Sequence, residues 1–192
     1  LQAADDIAGA FVSGSDEDDP NLRGSILDDT IDGGAGDDGV FGEGGNDVLV
    51  GGPGADTVDG GPGDDDLTGG TEADVFVYGP NGGDDRILDF EDARDLVDLR
   101  GFSRDVARLA VEQAGGTATT TFLTLPGGTL RIEGVGVAQF TVADTLLAPD
   151  APPIARPDVF SLLPGDRQAG NLLADNGLGP DVDPEGTARL FV

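Results

Sequence analysis

The chain of 192 residues is strongly acidic: 38 aspartates and glutamates stand against 10 lysines and arginines, for a formal net charge of -28 at pH 7. This balance excludes a nucleic-acid-binding protein, which needs a basic face, and disfavours attraction to anionic membranes. The chain has neither cysteine nor histidine, so disulfides and the soft ligands of zinc sites are excluded. With 33 glycines and only 5% aromatic residues, little is left for a conventional core, and no stretch is long and apolar enough to span a membrane.

The first 23 residues contain a lead-in and an irregular turn. Residues 1–13 are short and mixed, and an edge strand is expected around residues 8–12. Residues 14–23, GSDEDDPNLR, resemble the glycine-rich turns that follow them, with one extra residue. In that alignment Asp19 is equivalent to the aspartate that recurs in the later turns.

Residues 24–77 consist of six consecutive nonapeptides with no insertion between them, namely GSILDDTID, GGAGDDGVF, GEGGNDVLV, GGPGADTVD, GGPGDDDLT and GGTEADVFV. Position 1 is always Gly, and positions 2 and 4 are Gly in most repeats. Position 6 is Asp29, Asp38, Asp47, Asp56, Asp65 and Asp74, and position 8 is Ile31, Val40, Leu49, Val58, Leu67 and Phe76. A fixed short period of this kind is typical of a solenoid.

Each nonapeptide predicts a turn followed by a short strand. Glycine reaches positive φ without steric cost, so the glycine positions are where the chain bends. The last three residues form a strand whose central apolar side chain points away from the direction of its two neighbours. Two repeats then complete one coil, and each loop lies roughly 4.8 Å above the loop two repeats earlier. We therefore predict an all-β parallel solenoid with the apolar column as its core.

Stacked loops bring negative charges together. Residues 24–77 contain 14 acidic residues and no basic residue, and two unit charges about 5 Å apart repel by about 3 kcal/mol at an effective dielectric constant of about 20. A hard divalent cation relieves this repulsion by binding carboxylates and the backbone carbonyls of glycine-rich turns. Calcium fits because it tolerates irregular oxygen shells, whereas Mg²⁺ requires a regular octahedron.

The pattern Gly-Gly-x-Gly-x-Asp-x-apolar-x resembles the RTX, or haemolysin-type calcium-binding, repeat family. The resemblance implies a parallel β-roll with Ca²⁺ held between stacked loops. The implied sites are shared by Asp29 and Asp47, Asp38 and Asp56, Asp47 and Asp65, and Asp56 and Asp74. Carbonyls of the glycine loops would complete them, at Gly34, Gly36, Gly45, Gly52, Gly54, Gly61 and Gly63. The end sites match the family pattern less well, because glycine is replaced by Ser25, Leu27, Glu43 and Glu72.

The roll is expected to span residues 14–90. Residues 84–90, DDRILDF, restore the Asp-x-apolar pattern, and Asp85 is expected to close the last calcium site. The run DDRILDFEDARDLVDL resembles the segment that follows the roll in serralysin-type and haemolysin-type proteins.

Residues 91–148 are expected to form a β-rich cap over the open end of the roll, since an exposed strand edge invites aggregation. Turn signals separate three runs rich in Thr, Leu, Ile and Val, at residues 108–113, 117–125 and 129–135, which predict antiparallel hairpins. Thr141 and Asp144 form a capping-box signature and predict a short helical turn.

The last part of the chain has a different composition. Proline density rises in residues 149–157, which indicates a linker. Residues 158–192, with the motif NLLADN, resemble the opening strands of a cadherin-like or Ig-like tandem domain, but they are too few for a complete sandwich.

Together these features predict a non-catalytic, calcium-binding β-roll that folds on binding extracellular Ca²⁺, as a segment of a bacterial exoprotein or surface adhesin. The family resemblance implies a secreted or cell-surface location, export by type I secretion machinery and a cell-surface partner. An alternative is that the roll is the ancillary domain of an extracellular hydrolase, such as a serralysin-type metalloprotease, with its catalytic domain elsewhere. A third hypothesis is a solenoid that folds without metal.

Overall fold

The computed structural model describes residues 9–149, and the fold below is that of this segment. Its elements, in chain order, are β1 (Phe11–Ser13), β2 (Leu22–Arg23), β3 (Thr30–Asp32), β4 (Gly39–Phe41), β5 (Val48–Pro53), β6 (Thr57–Asp59), β7 (Asp66–Thr71), β8 (Val75–Val77), β9 (Asp84–Ile87), β10 (Leu96–Asp98), α1 (Arg104–Glu112), β11 (Gly115–Gly116), β12 (Thr120–Leu125), β13 (Gly128–Glu133), a 3₁₀ turn (Val142–Asp144) and β14 (Thr145–Leu146).

The strands form two sheets, and consecutive repeats alternate between them. One sheet has the order β1-β3-β5-β7-β9-β13-β12-β11, and the other has the order β14-β10-β8-β6-β4-β2. Strands two repeats apart pair in parallel with equivalent residues opposite each other, so that Leu49 lies between Ile31 and Leu67. The predicted all-β parallel solenoid, in which each repeat stacks on the repeat two before it, is therefore confirmed.

The core is the column of position-8 side chains between the two sheets. All six of these residues are at most 1% exposed, which confirms their predicted burial. The column continues past the repeats through Ile87 and Val97, both fully buried. Phe90 lies at the end of the column, where its ring centroid is 6.3 Å from that of Phe76 and 5.8 Å from that of Phe140.

The loops need left-handed backbone at positions 2 and 4. Gly52 has φ of 118°, and a Cβ there would collide with the carbonyl oxygen of Gly34 on the stacked loop. Glu43 at position 2 and Glu72 at position 4 keep this conformation, with φ of 77° and 87°. The repeat geometry thus imposes left-handed backbone even where the side chain disfavours it.

The segment after the roll differs from the prediction at residues 108–113. The strand expected there is part of helix α1. Its buried residues Ala107, Ala110 and Val111 are three and four positions apart, so they share one helix face, and Arg108 pairs with Glu112 at 2.7 Å on the exposed side. The run of six residues was too short to reveal this helical period.

Two other expectations for this segment are confirmed. Strands β12 and β13 form an antiparallel hairpin, which joins the eight-stranded sheet through parallel pairing of β13 with β9. The capping box also forms: the Thr141 hydroxyl accepts the Ala143 N–H at 3.2 Å, and the Asp144 carboxylate accepts the Thr141 N–H at 2.7 Å. These bonds start the 3₁₀ turn.

The parallel stack extends beyond residue 90. Strand β10 pairs with β8, and β14 pairs with β10, so both continue the six-stranded sheet in parallel. At the other end, β1 is an edge strand at residues 11–13, slightly later than expected. The described residues contain no helix long and apolar enough to cross a membrane. The linker and cadherin-like predictions lie outside the described residues, and the comparisons below give the cadherin-like prediction no support.

Candidate metal centre

The position-6 aspartates stack in two columns, one along each edge of the roll. Within a column, the Oδ1 atom of each aspartate accepts the backbone N–H of the aspartate one coil earlier. All four predicted pairs are brought together in this way, with N to Oδ1 distances of 2.7 Å for Asp29 and Asp47, 2.8 Å for Asp38 and Asp56, 2.8 Å for Asp47 and Asp65, and 2.9 Å for Asp56 and Asp74.

The two columns extend at both ends. The N–H of Asp19 donates to Asp38 Oδ1 at 2.8 Å, which places Asp19 in the column as its alignment predicts. The N–H of Asp65 donates to Asp85 Oδ1 at 3.0 Å, so Asp85 also takes its predicted place. Asp95, which we did not predict as a site residue, ends the other column by accepting the N–H of Asp74 at 3.1 Å.

The second carboxylate oxygen of five aspartates is left unpaired. The Oδ2 atoms of Asp38, Asp47, Asp56, Asp65 and Asp74 are buried and have no hydrogen-bond partner within residues 9–149. These side chains are only 1–3% exposed. A buried acceptor without a partner carries an uncompensated desolvation cost, more so when it is charged. The hydrogen bonds within residues 9–149 therefore leave these five oxygen atoms uncompensated, and a bound ligand would compensate them.

Backbone carbonyls approach the Oδ2 atoms of four position-6 aspartates, namely the hydrogen-bonded one of Asp29 and the unpaired ones of Asp38, Asp47 and Asp56. A Cβ added to Gly24 would lie 2.6 Å from Asp29 Oδ2 and 2.5 Å from the carbonyl oxygen of Gly42, one coil further on. The same two kinds of oxygen, the carboxylate of the same repeat and the position-1 carbonyl of the next coil, converge beside Gly33, Gly42 and Gly51. Each cradle is thus lined by hard oxygen donors from two coils, the donor set that calcium prefers.

At Asp65 and Asp74 the carboxylate itself lies closest to the position-1 glycine. The atoms closest to an added Cβ on Gly60 all belong to Asp65, and those closest to one on Gly69 belong to Asp74 and Phe76. No group of three or more acidic side chains within residues 9–149 is arranged to hold a metal ion. A metal site at these carboxylates would therefore need backbone carbonyls, and those beside the carboxylates belong to position 1, not to the predicted positions 2 and 4.

The glycines predicted as loop ligands lie in the contact region between coils. A Cβ on Gly54 or Gly63 would collide with the carbonyl oxygen of Gly36 or Gly45, respectively. Gly61 likewise faces the carbonyl of Glu43. The carbonyls of Gly36, Gly45 and Glu43 therefore face the neighbouring loop, and a side chain at Gly54, Gly63 or Gly61 would collide with them.

Burial and mutual repulsion disfavour the charged form of the stacked carboxylates. Burial raises the pKa of Asp47 and of Asp56 to about 6, and neighbouring carboxylates add to this effect against the lowering by the backbone N–H bond. The same causes raise the pKa of Asp65 and Asp74 to about 7 and that of Asp85 to about 8. Because no basic residue occurs in residues 24–77, only protons or an added cation can neutralise these carboxylates.

A second side-chain ladder, which we did not predict, runs along position 5. The side chain at this position accepts the backbone N–H of the equivalent residue one coil later, opposite in direction to the position-6 bonds. The pairs on one edge are Asp28 with Asn46, Asn46 with Asp64, Asp64 with Asp84 and Asp84 with Thr129, at 2.8–3.0 Å. On the other edge Asp18 accepts from Asp37, and Asp37 from Ala55. Recurrence of Asp or Asn at position 5 is the sequence signal for it.

Asp89 closes the last coil. Its two carboxylate oxygens accept the N–H groups of Gly69 and Gly70 at 3.0 and 2.9 Å. In earlier coils the N–H at position 1 donates to a strand carbonyl of the next coil, as Gly33 does to Val50 at 2.8 Å. Asp89, which follows strand β9 in the next coil, therefore takes the place of that strand carbonyl as hydrogen-bond acceptor, and its position in the sequence did not reveal this role.

Comparisons with known proteins found one family profile and several solved structures similar to this chain. Residues 21–49 and 41–76 match the family profile of the RTX calcium-binding nonapeptide repeat in four copies. The solution structure of the AlgE6R3 subunit from the Azotobacter vinelandii mannuronan C5-epimerase is 26% identical, with 82% of this chain and 92% of that chain covered and a TM-score of 0.39. The AlgE6R2 subunit of the same enzyme is 28% identical, with coverages of 73% and 94% and a TM-score of 0.37.

A crystal structure of the extracellular lipase LipA from Serratia marcescens is 23% identical, with a TM-score of 0.47. The similarity covers 72% of this chain and 21% of the lipase. The search of curated proteins gave no match. Residues 21–76 of this chain thus match the RTX calcium-binding nonapeptide repeat, the repeat of a family that binds calcium ions.

Proposed function

We propose that this chain is a secreted calcium-binding β-roll whose repeats fold when they meet extracellular Ca²⁺. The observation that carries the proposal is the set of five buried, unpaired Oδ2 atoms in stacked loops. Three of these loops also direct a glycine carbonyl of the next coil to the same cradle. Bound calcium would supply the positive charge that the carboxylates lack.

The residues of the chain act as a folding switch in this proposal. In a cytosol poor in calcium, the stacked carboxylates repel one another, and the repeats remain unfolded. At the millimolar calcium outside the cell, each site adds stability that grows with the ratio of free calcium to its dissociation constant. Asp38, Asp47 and Asp56 hold the interior sites, because their cradles have both kinds of oxygen donor.

The cellular setting is part of the same proposal. A roll that folds only in calcium suits export of an unfolded chain by type I secretion machinery and assembly outside the cell, as a segment of an exoprotein or adhesin with a cell-surface partner. The repeats themselves are a binding module, and any catalytic centre would lie in another part of a longer protein.

The proposal is tested by calcium titration of the 192-residue chain, followed by far-ultraviolet circular dichroism. We expect an unfolded spectrum in chelator and a cooperative gain of β signal as calcium rises towards 10 mM. A spectrum that stays the same from chelator to 10 mM calcium would contradict the proposal and favour the solenoid that folds without metal.

A second candidate is that the roll serves an extracellular hydrolase as its ancillary calcium-binding domain. It is favoured by the occurrence of such matches within enzymes, the epimerase and the lipase named above. Sequencing the flanking gene decides between the two. An upstream HExxH or GxSxG motif supports the hydrolase, and tandem adhesion domains downstream support the adhesin.

A further inference from the structure

The stacked aspartates are of two kinds. The five described above have an unpaired Oδ2 atom, whereas Asp29 and Asp95 have both carboxylate oxygens in hydrogen bonds. Asp29 Oδ1 accepts the N–H of Ala10, and its Oδ2 accepts the N–H of Ser25 at 2.5 Å. Asp95 Oδ1 accepts from Asp74 at 3.1 Å, and its Oδ2 accepts from Glu91 at 2.8 Å.

The Oδ2 atom of Asp19 is also hydrogen-bonded: it accepts both the N–H and the hydroxyl of Ser15 at 2.8 Å. In all three cases the N–H donor lies four residues before the aspartate. These three residues are outermost members of their columns, whereas Asp85, the outermost member at the remaining column end, accepts the Asp65 N–H with Oδ1 and does not share the N–H bond from four residues earlier.

The backbone four residues before the aspartate separates the two kinds. In the loops with an unpaired Oδ2, this residue is left-handed: Gly34, Glu43, Gly52, Gly61 and Gly70 have φ between 77° and 118°. Ser15, Ser25 and Glu91 are not left-handed, and their N–H groups reach the carboxylate. Glu43 shows that the backbone conformation, and not the residue type, separates the two kinds of aspartate. It lies four residues before Asp47 and is left-handed, and the Oδ2 atom of Asp47 is unpaired.

We propose that Asp29 and Asp95 hold the end loops together without a metal ion, since backbone N–H groups of their own loops donate to their Oδ2 atoms. Calcium binding is then confined to the interior aspartates. The inference rests on the proposed calcium-binding function. At Asp29 the carboxylate oxygen still lies near the Gly42 carbonyl, but the N–H of Ser25 already supplies the positive partial charge there. A cation at Asp29 would have to share the Oδ2 atom with that N–H group, whereas the Oδ2 atom of Asp47 has no hydrogen-bond partner within residues 9–149.

The test compares Asp29→Asn with Asp47→Asn in the 192-residue chain. Each variant removes one carboxylate from the same column, and bound calcium per chain is measured by equilibrium dialysis with atomic emission. We expect Asp47→Asn to lose one or more ions and Asp29→Asn to keep the number bound by the unaltered chain. An equal loss in both variants would overturn the inference and leave the proposed function intact, whereas no bound calcium in the unaltered chain would overturn both.

A measurement on the unaltered chain guards against a variant that fails to fold. Side-chain carboxyl ¹³C resonances of labelled aspartate are followed by NMR between saturating and limiting calcium, under conditions in which the roll stays folded. The Asp47 signal should shift or broaden with calcium, and the Asp29 and Asp95 signals should stay in place. A calcium-dependent shift of Asp29 equal to that of Asp47 would show that Asp29 is a ligand.

Discussion

Five buried aspartates each have one carboxylate oxygen without a hydrogen-bond partner within residues 9–149, and these oxygens make the protein sensitive to cations and to pH. Asp56 donates its backbone N–H to one neighbour in the column and accepts another with Oδ1, yet its Oδ2 atom has no partner within residues 9–149. The backbone thus positions the carboxylate without neutralising it. The side chain can be compensated either by a cation or by a proton, and these two ligands must compete.

This competition predicts a pH dependence of the metal-free protein. The pKa values of Asp47 and Asp56 rise from 3.8 to about 6, and those of Asp65 and Asp74 to about 7. Because the folded state then binds protons more tightly than the unfolded state, the stability gained from protonation is fully present below about pH 4 and is lost as pH rises through 6 to 7. In chelator, far-ultraviolet circular dichroism should therefore show more β signal at pH 5 than at pH 8.

The same argument predicts that calcium affinity falls as pH is lowered from 8 to 5, since protons occupy the same oxygens. Isothermal titration calorimetry measures both the affinity and the protons released. Metal-free stability that rises with pH, or calcium binding without proton release near pH 6, would contradict the assignment of these carboxylates as the shared site.

At the scale of the loop, the glycines are required by contact between coils. The Cα of Gly52 lies against the carbonyl of Gly34, and the backbone at Gly52 is left-handed. Two constraints therefore act on one residue: a side chain would collide with the neighbouring loop, and it would also disfavour the φ angle. Such positions tolerate only small displacements of the backbone, because a change in the spacing of two coils also shifts the coils stacked on them.

Gly52→Ala should destabilise the calcium-bound roll by about 1–3 kcal/mol, the usual cost of a strained left-handed residue, with the collision in addition. Gly79→Ala is the matched control, because an added Cβ there meets nothing within 4 Å and its φ is not left-handed. Urea unfolding in saturating calcium measures both variants. Equal stability of the two would refute the role of coil contact.

Glu72 predicts a change in the opposite direction. It is an exposed, left-handed residue with φ of 87° at a position where most repeats have glycine. Glu72→Gly should therefore stabilise the roll by about 1 kcal/mol, since a non-glycine residue pays roughly 1–2 kcal/mol for this conformation. Glu72→Gln separates the effect of charge, because it removes the carboxylate and keeps the Cβ. Thermal unfolding should rank Gly above Gln, and the reverse order would refute backbone strain at this loop.

The whole molecule carries a net charge of -28, but the arrangement of the charge matters more than its sum. The exposed acids are screened by ordinary salt within a Debye length of about 8–10 Å. The buried columns exclude salt ions, so screening cannot replace a bound cation there. The folding of the roll should accordingly depend on the kind of cation and not on ionic strength alone.

We expect 1 M NaCl, or Mg²⁺ at the concentration at which Ca²⁺ saturates folding, to leave the chelated chain largely unfolded. Sodium screens without binding at the columns, and Mg²⁺ does not fit an irregular shell that contains backbone carbonyls. Hydrodynamic radius by light scattering, compared with Ca²⁺ at the same ionic strength, measures the difference. Compaction by NaCl as complete as that by Ca²⁺ would show that diffuse screening is sufficient.

The nine-residue period was enough to predict the solenoid, the pairing of alternate repeats, the buried apolar column and the stacking of Asp29 to Asp74. These features repeat locally, and each repeat meets only its neighbours, so the pattern in one repeat implies the pattern in all. Position-5 recurrence was visible too, although its ladder of hydrogen bonds was not recognised.

Features that depend on contacts that do not recur from one repeat to the next could be seen only in the folded structure. Helix α1, the parallel pairing of β10 with β8 and of β14 with β10, and the bonds of both Asp89 oxygens to the sixth repeat all arise where the regular repeats stop. The same holds for the carboxylate oxygens of Asp29 and Asp47: both residues occupy position 6, and the backbone four residues earlier determines that the Asp29 Oδ2 atom accepts an N–H group and that the Asp47 Oδ2 atom has no partner.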